Sequence, residues 1–202
     1  MKKPLPCAAN VAAGFLTLPV PDNQSLSSDF PYHILMATTE NAKAAYGGES
    51  QANRKYLAFS EKASEEGFKN IATLFKAASE AEAIHAKKLL KVLNEIGPTK
   101  DNLQVSIAGE TQEFTEMYPE FIKVAEAEKR SDAVLAFTYA MKAEQVHARL
   151  YEKALSLLRS GSDMGREKIF LCPVCGNIEI GKAPEKCPIC GVFGKQFREV
   201  TI

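Results

Sequence analysis

The sequence lacks an excess of charge of either sign, has no tryptophan, and contains no long apolar run. Its 202 residues include 25 Lys plus Arg against 25 Asp plus Glu, so no overall field attracts nucleic acid or an anionic membrane surface. No stretch approaches the roughly 20 consecutive apolar residues that span a bilayer. We therefore expect a globular protein that binds neither nucleic acid nor a membrane.

Proline and aspartate are also scarce through the middle of the chain. Only Pro98 and Pro119 fall between Pro31 and Pro173, which leaves a long region almost free of helix breakers. Of the 25 acidic residues, 20 are Glu, the better helix former. The chain is therefore expected to divide into an irregular leader (1–37), a helical body (38–160), and a linker with a small cysteine-bearing domain (161–202).

The leader does not have the pattern of an export signal. Prolines interrupt its mildly apolar run, and no clean small-residue cleavage site follows. Cys7 stands apart from the other four cysteines, and we interpret it as a free thiol. We therefore expect a cytoplasmic protein, in which thiols stay reduced.

Apolar periodicity predicts four helices in the body. Their expected limits are Thr38 to Glu66, Phe68 to Ile96, Asp101 to Glu128 and Asp132 to Arg159. Short connections between long helices imply antiparallel neighbours, so we predict an up-down four-helix bundle.

Each predicted helix carries at least one glutamate on its apolar seam. Burying an unpaired carboxylate costs several kcal/mol, and the seams offer no comparable set of lysines or arginines. Two divalent cations would supply +4 against the −5 of five carboxylates, so metal ions are the economical solution. The inward carboxylates are Glu49, Glu82, Glu110, Glu113 and Glu144.

Two of the three histidines follow a seam glutamate by three residues, as His85 follows Glu82 and His147 follows Glu144. Residues three apart share a helix face, so each pair can chelate one ion. The pairs belong to an internal repeat with an offset of 62 residues, in which an additional glutamate recurs at an offset of 61. A lone Glu-x-x-His is usually a solvated helix face, but two in register favour a carboxylate-bridged di-iron or di-manganese bundle.

Three further residues could act at this site. The first copy of the repeat has an alanine at the position that corresponds to Glu113. One side of the site therefore gains a seventh donor. Tyr56 and Tyr118 are spaced to donate hydrogen bonds to ligand carboxylates, although helical spacing alone is equally compatible with core aromatics. Oxygen and nitrogen donors without sulfur favour iron or manganese.

The tail contains a second candidate metal site. Two Cys-Pro-x-Cys-Gly knuckles are separated by eleven residues and supply four thiolates, Cys172, Cys175, Cys187 and Cys190. A pair of disulfides is the weaker alternative for an intracellular chain. Iron and zinc both remain open, because zinc ribbons use the same spacing.

The body and tail together resemble the rubrerythrin family. The resemblance rests on the Glu49 segment, the two Glu-x-x-His motifs, Glu110-x-x-Glu113 with Tyr118, and the two knuckles. It implies a mainly α fold: a ferritin-like four-helix di-iron bundle followed by a rubredoxin-like domain with one iron on four cysteines, which zinc can replace in a recombinant preparation. It also implies that Glu82 and Glu144 bridge the irons. The remaining ligands would be Glu49, His85 and Glu113 on one ion, and Glu110 and His147 on the other.

The resemblance implies a hydrogen peroxide reductase in which Glu113, His85, Tyr56 and Tyr118 take part in the reaction. Electrons would come from rubredoxin or an NAD(P)H-dependent reductase, since no nucleotide-binding glycine motif occurs here. It further implies a homodimer in which one chain's rubredoxin-like iron faces the other chain's bundle. The alternatives are a ferroxidase or iron-storage role, which the bundle alone would permit, and a zinc-ribbon binding module on an inert helical stalk. The leader is a departure from the family, so its role is not inherited.

Overall fold

The computed structural model describes residues 32–201, with side chains from residue 37 onward. Residues 1–31, including Cys7, and residue 202 lie outside the described residues. The helices of the described part are α1 (Tyr32–Glu65), α2 (Lys69–Val92), α3 (Thr99–Gln112), α4 (Tyr118–Ala127) and α5 (Ser131–Arg159), and a π-helical segment (Glu113–Met117) joins α3 to α4. Because α3, the π-helical segment and α4 are continuous, the described part contains four long helical segments before a small domain. The predicted mainly α class is confirmed.

The second helix, α2, ends earlier than the sequence predicts. α2 stops at Val92 instead of the predicted Ile96, because Asn94 adopts a φ of 56° and turns the chain. The backbone N–H of Glu95 then donates to the carbonyl of Leu90 at 3.0 Å. Asparagine is the residue besides glycine that most readily accepts this left-handed conformation. The turn leaves only residues 93–98 to connect α2 with α3.

The π-helical segment absorbs one extra residue. Glu49 precedes Tyr56 by seven positions, whereas Glu110 precedes Tyr118 by eight, which is the change of repeat offset from 61 to 62. In an uninterrupted α-helix one added residue would rotate the side chains by about 100°. The wider turn takes up this rotation and ends two residues before Pro119, which cannot donate to the helical ladder. The extra residue therefore leaves the glutamate and the tyrosine on a common face in both copies.

The helical segments pack as two hairpins. α1 packs along α2 to form the first hairpin, and α3 with α4 packs along α5 to form the second hairpin. Between the two hairpins, the described residues form no packed helix–helix interface. The buried apolar side chains of the hairpins are mostly small: Ala42, Ala63, Ala72, Ala125, Ala143, Ala148 and Leu155. Larger apolar side chains consequently remain exposed on both hairpins.

The small C-terminal domain is a three-stranded antiparallel sheet in the order β2-β1-β3. Its strands are β1 (Ile169–Leu171), β2 (Ile178–Ile180) and β3 (Arg198–Val200). Its core consists of three buried cysteines and Phe197, and Tyr139 of α5 packs against it. Within this chain the domain contacts α5 through β2. The contact with the bundle of another chain, which the family resemblance implied, stays a prediction.

Candidate metal centres

The first hairpin brings one carboxylate-rich cluster together. Glu82 and His85 lie one turn apart on α2, and Glu49 approaches them from α1. The Nδ1 atom of His85 is 2.8 Å from a carboxylate oxygen of Glu82 and 3.9 Å from one of Glu49. The cluster is open to solvent on one side, since the His85 side chain is 52% exposed.

The second hairpin repeats this arrangement in a more enclosed setting. Nδ1 of His147 lies 2.6 Å from a carboxylate oxygen of Glu144 and 4.0 Å from one of Glu110. The three side chains are only 17–21% exposed. Burial raises the pKa of Glu110 to about 7, and Glu144 close by contributes to the same shift. When no cation is bound, protonation of Glu110 reduces the charge repulsion between the carboxyl groups of this cluster.

The first cluster shares protons in the same way. A hydrogen bond with Glu82 raises the pKa of Glu49, and the same bond lowers the pKa of Glu82. Paired carboxylates that compete for a proton, next to an imidazole nitrogen, form a donor set that suits a hard cation such as iron. The residues present therefore fit the predicted ions.

His147 is held in one orientation by the C-terminal domain. Its Nε2 atom lies 2.9 Å from the carbonyl oxygen of Gly176, which can only accept, so Nε2 carries the proton. Nδ1 is then the nitrogen that faces the carboxylates, and its hydrogen bond with Glu144 raises the pKa of His147. A cation would replace the proton at this nitrogen, since Nδ1 is the one that points at the other donors. Among the described residues, no backbone carbonyl holds His85 in the way that Gly176 holds His147. The orientation of the His85 ring is therefore less restrained than that of the His147 ring.

The additional site residues fall near the second cluster. Glu113 lies at the start of the π-helical segment, where burial and the neighbouring Glu144 raise the pKa of its carboxyl. Burial, followed by the charge of Glu113, raises the pKa of Tyr118. Tyr151 is a residue that sequence reasoning missed: burial raises the pKa of its phenol, with contributions from two site glutamates. Its signal was its place one turn after His147 on the same seam.

The predicted tyrosines occupy equivalent places in the two hairpins. Tyr56 forms an aromatic trio with Phe59 and Phe75, whose ring centroids are 5.6–6.3 Å apart. Tyr118 forms the corresponding trio with Phe121 and Phe137 at 5.7–6.2 Å. The charges of the site carboxylates act on Tyr118, whereas the contacts of Tyr56 are with the rings of Phe59 and Phe75. Their proposed part in the reaction stays a prediction.

The four knuckle cysteines converge in the small domain. The Sγ atoms of Cys172 and Cys190 are 3.6 Å apart, those of Cys175 and Cys187 are 3.5 Å apart, and none of the four forms a disulfide. Four sulfurs around one ion at about 2.3 Å would be separated by roughly this spacing. Burial raises the pKa of the Cys175 thiol, and a hydrogen bond from the backbone N–H of Asn177 opposes the shift. A cation that replaces the thiol protons fits this site.

The glycine after each knuckle adopts a left-handed backbone conformation. Gly176 and Gly191 adopt φ values of 80° and 77°, a region that favours glycine. Asn177, which sequence reasoning also missed, is fully buried directly after the first knuckle, and its side-chain N–H donates to Glu179 at 2.8 Å.

Within the described residues, no helix has the length and apolar content needed to cross a membrane.

Two helical hairpins with paired carboxylates and imidazoles, joined to a domain with four clustered cysteines, define a metalloprotein with two kinds of metal centre. The rubrerythrin family model matches residues 40–155, and the model of the rubrerythrin rubredoxin-like domain matches residues 170–198. The chain belongs to the rubrerythrin family. Its di-iron site residues are Glu49, Glu82, His85, Glu110, Glu144 and His147, and its rubredoxin-like site consists of the four knuckle cysteines.

Named relatives cover both domains. The chain is 37% identical to Rubrerythrin-2 of Clostridium acetobutylicum, over 80% of this chain and 95% of that protein. It is 40% identical to Nigerythrin of Nitratidesulfovibrio vulgaris, over 76% of this chain and 82% of that one. A solved structure of nigerythrin in a mixed-valence state aligns at 36% identity with a TM-score of 0.48, covering 89% of this chain and 91% of that one.

Proposed function

We propose that the protein is a peroxidase that reduces hydrogen peroxide to two waters with two electrons and two protons, in defence against oxidative stress. Electrons would arrive one at a time through the iron of the four-cysteine site, from a rubredoxin or an NAD(P)H-dependent reductase. The di-iron site supplies the two-electron redox chemistry when iron is bound. We assign Glu82 and Glu144 as bridging ligands.

The contact between Gly176 and His147 carries this proposal. Gly176 directly follows Cys175, so only a few covalent bonds and one 2.9 Å hydrogen bond separate a sulfur of the four-cysteine site from a ligand imidazole. A storage role needs no external reductant and gives no reason to hold an electron-transfer domain against the cluster. The contact therefore favours peroxide reduction over the ferroxidase alternative.

The site tyrosine near Glu113 has a defined protonation state. Because burial and nearby carboxylates raise its pKa, Tyr118 stays a phenol at neutral pH. It can then donate a hydrogen bond to a site carboxylate and help hold that carboxylate in place. Tyr56 would act in the same way for the first hairpin.

The two imidazoles are suited to different tasks. His147 is anchored and mostly buried, whereas His85 is about half exposed and unanchored within the described part of the chain. Glu113 adds a carboxylate to one side only. We therefore propose that Glu113 is a ligand in the oxidised state and His85 in the reduced state, because trivalent iron favours an anionic oxygen donor more than divalent iron does.

Cys172→Ser tests the electron relay. Loss of one thiolate should disable the four-cysteine site while the helices keep their metal. Reductase-coupled peroxide turnover should then collapse, although a chemically prereduced protein still consumes one equivalent of peroxide. Unchanged coupled turnover would eliminate the relay and restore the ferroxidase alternative.

A metal count with a visible spectrum, on protein purified without added metal, separates the peroxidase from the ribbon-on-stalk alternative. A coloured iron site with four cysteine ligands, together with two further irons, is expected of the peroxidase. A colourless zinc site with no bundle iron would instead support the ribbon-on-stalk alternative.

A further inference from the structure

We propose that the second cysteine knuckle (residues 187–191) carries the docking face for the electron donor, and that this donor is a protein with an acidic surface. The inference rests on the proposed function, since it concerns how electrons reach the four-cysteine site. In that step the donor loses one electron and the ferric iron of the site gains it, with no bond or proton exchanged. The face consists of Lys186, Phe193 and Lys195, which we call the Phe193 patch.

The two knuckles differ in what surrounds them. At the first knuckle, the carbonyl of Gly176 accepts a hydrogen bond from His147, and Tyr139 of α5 packs against the cysteine core. Of the four knuckle cysteines, only Cys190 of the second knuckle is not buried. Electrons that leave past Gly176 have to enter on another side. Cys190 therefore marks the side on which a donor protein can come nearest to the metal.

The Phe193 patch is fixed to the second knuckle by the backbone. Lys186 directly precedes Cys187, and Phe193 follows Cys190 by three residues. Lys186 and Phe193 pair across an isolated antiparallel β-bridge, and the N–H of Cys187 donates to the carbonyl of Val192 at 2.8 Å. Three residues reach at most about 11 Å, so the Phe193 backbone lies within that distance of a cysteine ligand. A donor seated on the patch is therefore held close to the metal site.

Phe193 is the apolar part of the patch. It is 55% exposed, whereas Phe197, four residues later, is 9% exposed and belongs to the core of the small domain. An exposed apolar residue is ordinary on a protein surface, so this exposure by itself decides nothing. Aromatic side chains are, however, enriched at the centres of protein–protein interfaces, where a ring supplies much contact area. The charges around Phe193 decide what kind of partner the ring suits.

Two ammonium groups converge on the exposed ring. Lys186 Nζ lies 5.4 Å and Lys195 Nζ lies 5.9 Å from the ring centroid of Phe193, and an aromatic face attracts a cation at this distance. Among the described side chains neither lysine forms an ion pair, and the ion pair of the small domain joins Lys168 to Glu199 instead. The ring thus holds two like charges near each other that no carboxylate of the described chain neutralises.

The surface around the patch is positive in a chain that is neutral overall. Residues 182–195 contain three lysines and a single acid, Glu185, which is exposed. The nearby metal site is anionic once loaded, because four thiolates outweigh the charge of one ferric iron. That site alone would repel an acidic donor, and the patch lysines offset the repulsion. Complementary charge of this kind raises the rate at which two proteins meet in the correct orientation.

Small redox ions of opposite charge test the sign of this face. The protein with its four-cysteine iron reduced is mixed rapidly with hexacyanoferrate(III), an anion, or with tris(phenanthroline)cobalt(III), a cation. Each ion takes one electron from the site, and the returning visible absorption of the ferric iron gives the rate constant. The variant is Lys186→Glu/Lys195→Glu. Its control is Lys69→Glu/Lys76→Glu, which makes the same change of net charge at exposed lysines of α2.

The patch variant should react about tenfold more slowly than the wild type with hexacyanoferrate(III) at an ionic strength of ~10 mM. It should react faster with the cobalt cation, and both differences should shrink near ~1 M, where the Debye length is about 3 Å instead of about 30 Å. The control should stay near the wild type. Equal changes in both variants would overturn the proposal, because overall charge would then set the rates. Lys186→Gln/Lys195→Gln should give intermediate rates, and an unchanged visible spectrum shows that the metal site of each variant is intact.

Cross-linking to a protein donor tests the partner directly. A rubredoxin of net negative charge is mixed with the protein and treated with a carbodiimide, which joins lysine ammonium groups to carboxylates that contact them. Mass spectrometry should place the links at Lys186 and Lys195, and Phe193→Ala should lower their yield severalfold. Links confined to other lysines, or no links, would overturn the docking face. Neither test uses peroxide, so a protein that passes both but consumes no peroxide would contradict the proposed function and leave the docking face in place.

Discussion

Replacement of Ala143 by leucine should detach the C-terminal domain from α5 without touching a metal ligand. Ala143 is 2% exposed, and a Cβ built on Gly176 would lie 4.0 Å from the Ala143 Cβ. Two small residues thus allow the close approach that lets the Gly176 carbonyl reach His147. Leucine adds three carbon atoms where the structure leaves no room for them.

The expected magnitude follows from the size of this contact. Overpacking of a filled site costs about 1–3 kcal/mol, and the lost hydrogen bond adds about 1 kcal/mol. Because about 1.4 kcal/mol corresponds to a factor of ten, this combined cost of about 2–4 kcal/mol should lower the ratio of docked to undocked molecules roughly 30-fold to 700-fold. Reductase-coupled peroxide turnover should fall by a similar factor if the docked state carries the electrons.

Three measurements on Ala143→Leu make the result interpretable. Metal analysis should show both kinds of site filled, limited proteolysis in residues 161–168 should accelerate, and coupled turnover should drop. Ala136→Leu is the matched control, since it makes the same substitution at an exposed position of the same helix. Accelerated proteolysis with wild-type coupled turnover would refute the electron route through Gly176.

Three further comparisons test the ligand assignments and the four-cysteine domain. Glu82→Ala should lower bundle iron more than Tyr56→Phe, because only the first removes a direct ligand; full iron occupancy of the alanine variant would contradict the bridging role. Glu113→Ala should disturb the oxidised site more and His85→Ala the reduced site, as structures in both states would show; identical ligands in the two states would rule out the exchange. Gly194→Ala should cost the small domain its metal, because the added Cβ would lie 1.7 Å from a backbone carbonyl oxygen; metal retention measured by absorbance would disprove this.

Sequence periodicity was a good guide to the elements and a weaker guide to their ends. The seam positions of Glu82 and His85 follow from a spacing of three, which any α-helix converts into a common face. The end of α2 was missed because Gly97-Pro98 is a strong stop signal, whereas Asn94 is a weaker one that the local hydrogen bonds favoured. The π-helical segment was visible only as a change of one in the repeat offset.

Burial identifies the residues that sequence reasoning missed. Tyr151 lies one turn after His147, but only its burial and the nearby charges of Glu110 and Glu144 mark it as a neighbour of the second cluster. Asn177 is buried by the fold of the small domain and belongs to no motif with fixed spacing. A search for metal ligands by sequence pattern alone therefore finds the ligand residues and misses the buried residues that lie next to them.

The sequence by itself determined the helical body, the two chelating pairs, the extra carboxylate and the four thiolates. These features depend on positions a few residues apart, which backbone geometry turns into fixed distances. Only the tertiary structure decided that the hairpins stand apart within the described residues, that the small domain lies on α5, and that the Gly176 carbonyl holds His147, whereas no backbone carbonyl in the described part of the chain holds His85. Those outcomes depend on a six-residue connection and on contacts between residues far apart in the chain, and helical periodicity carries no information about either.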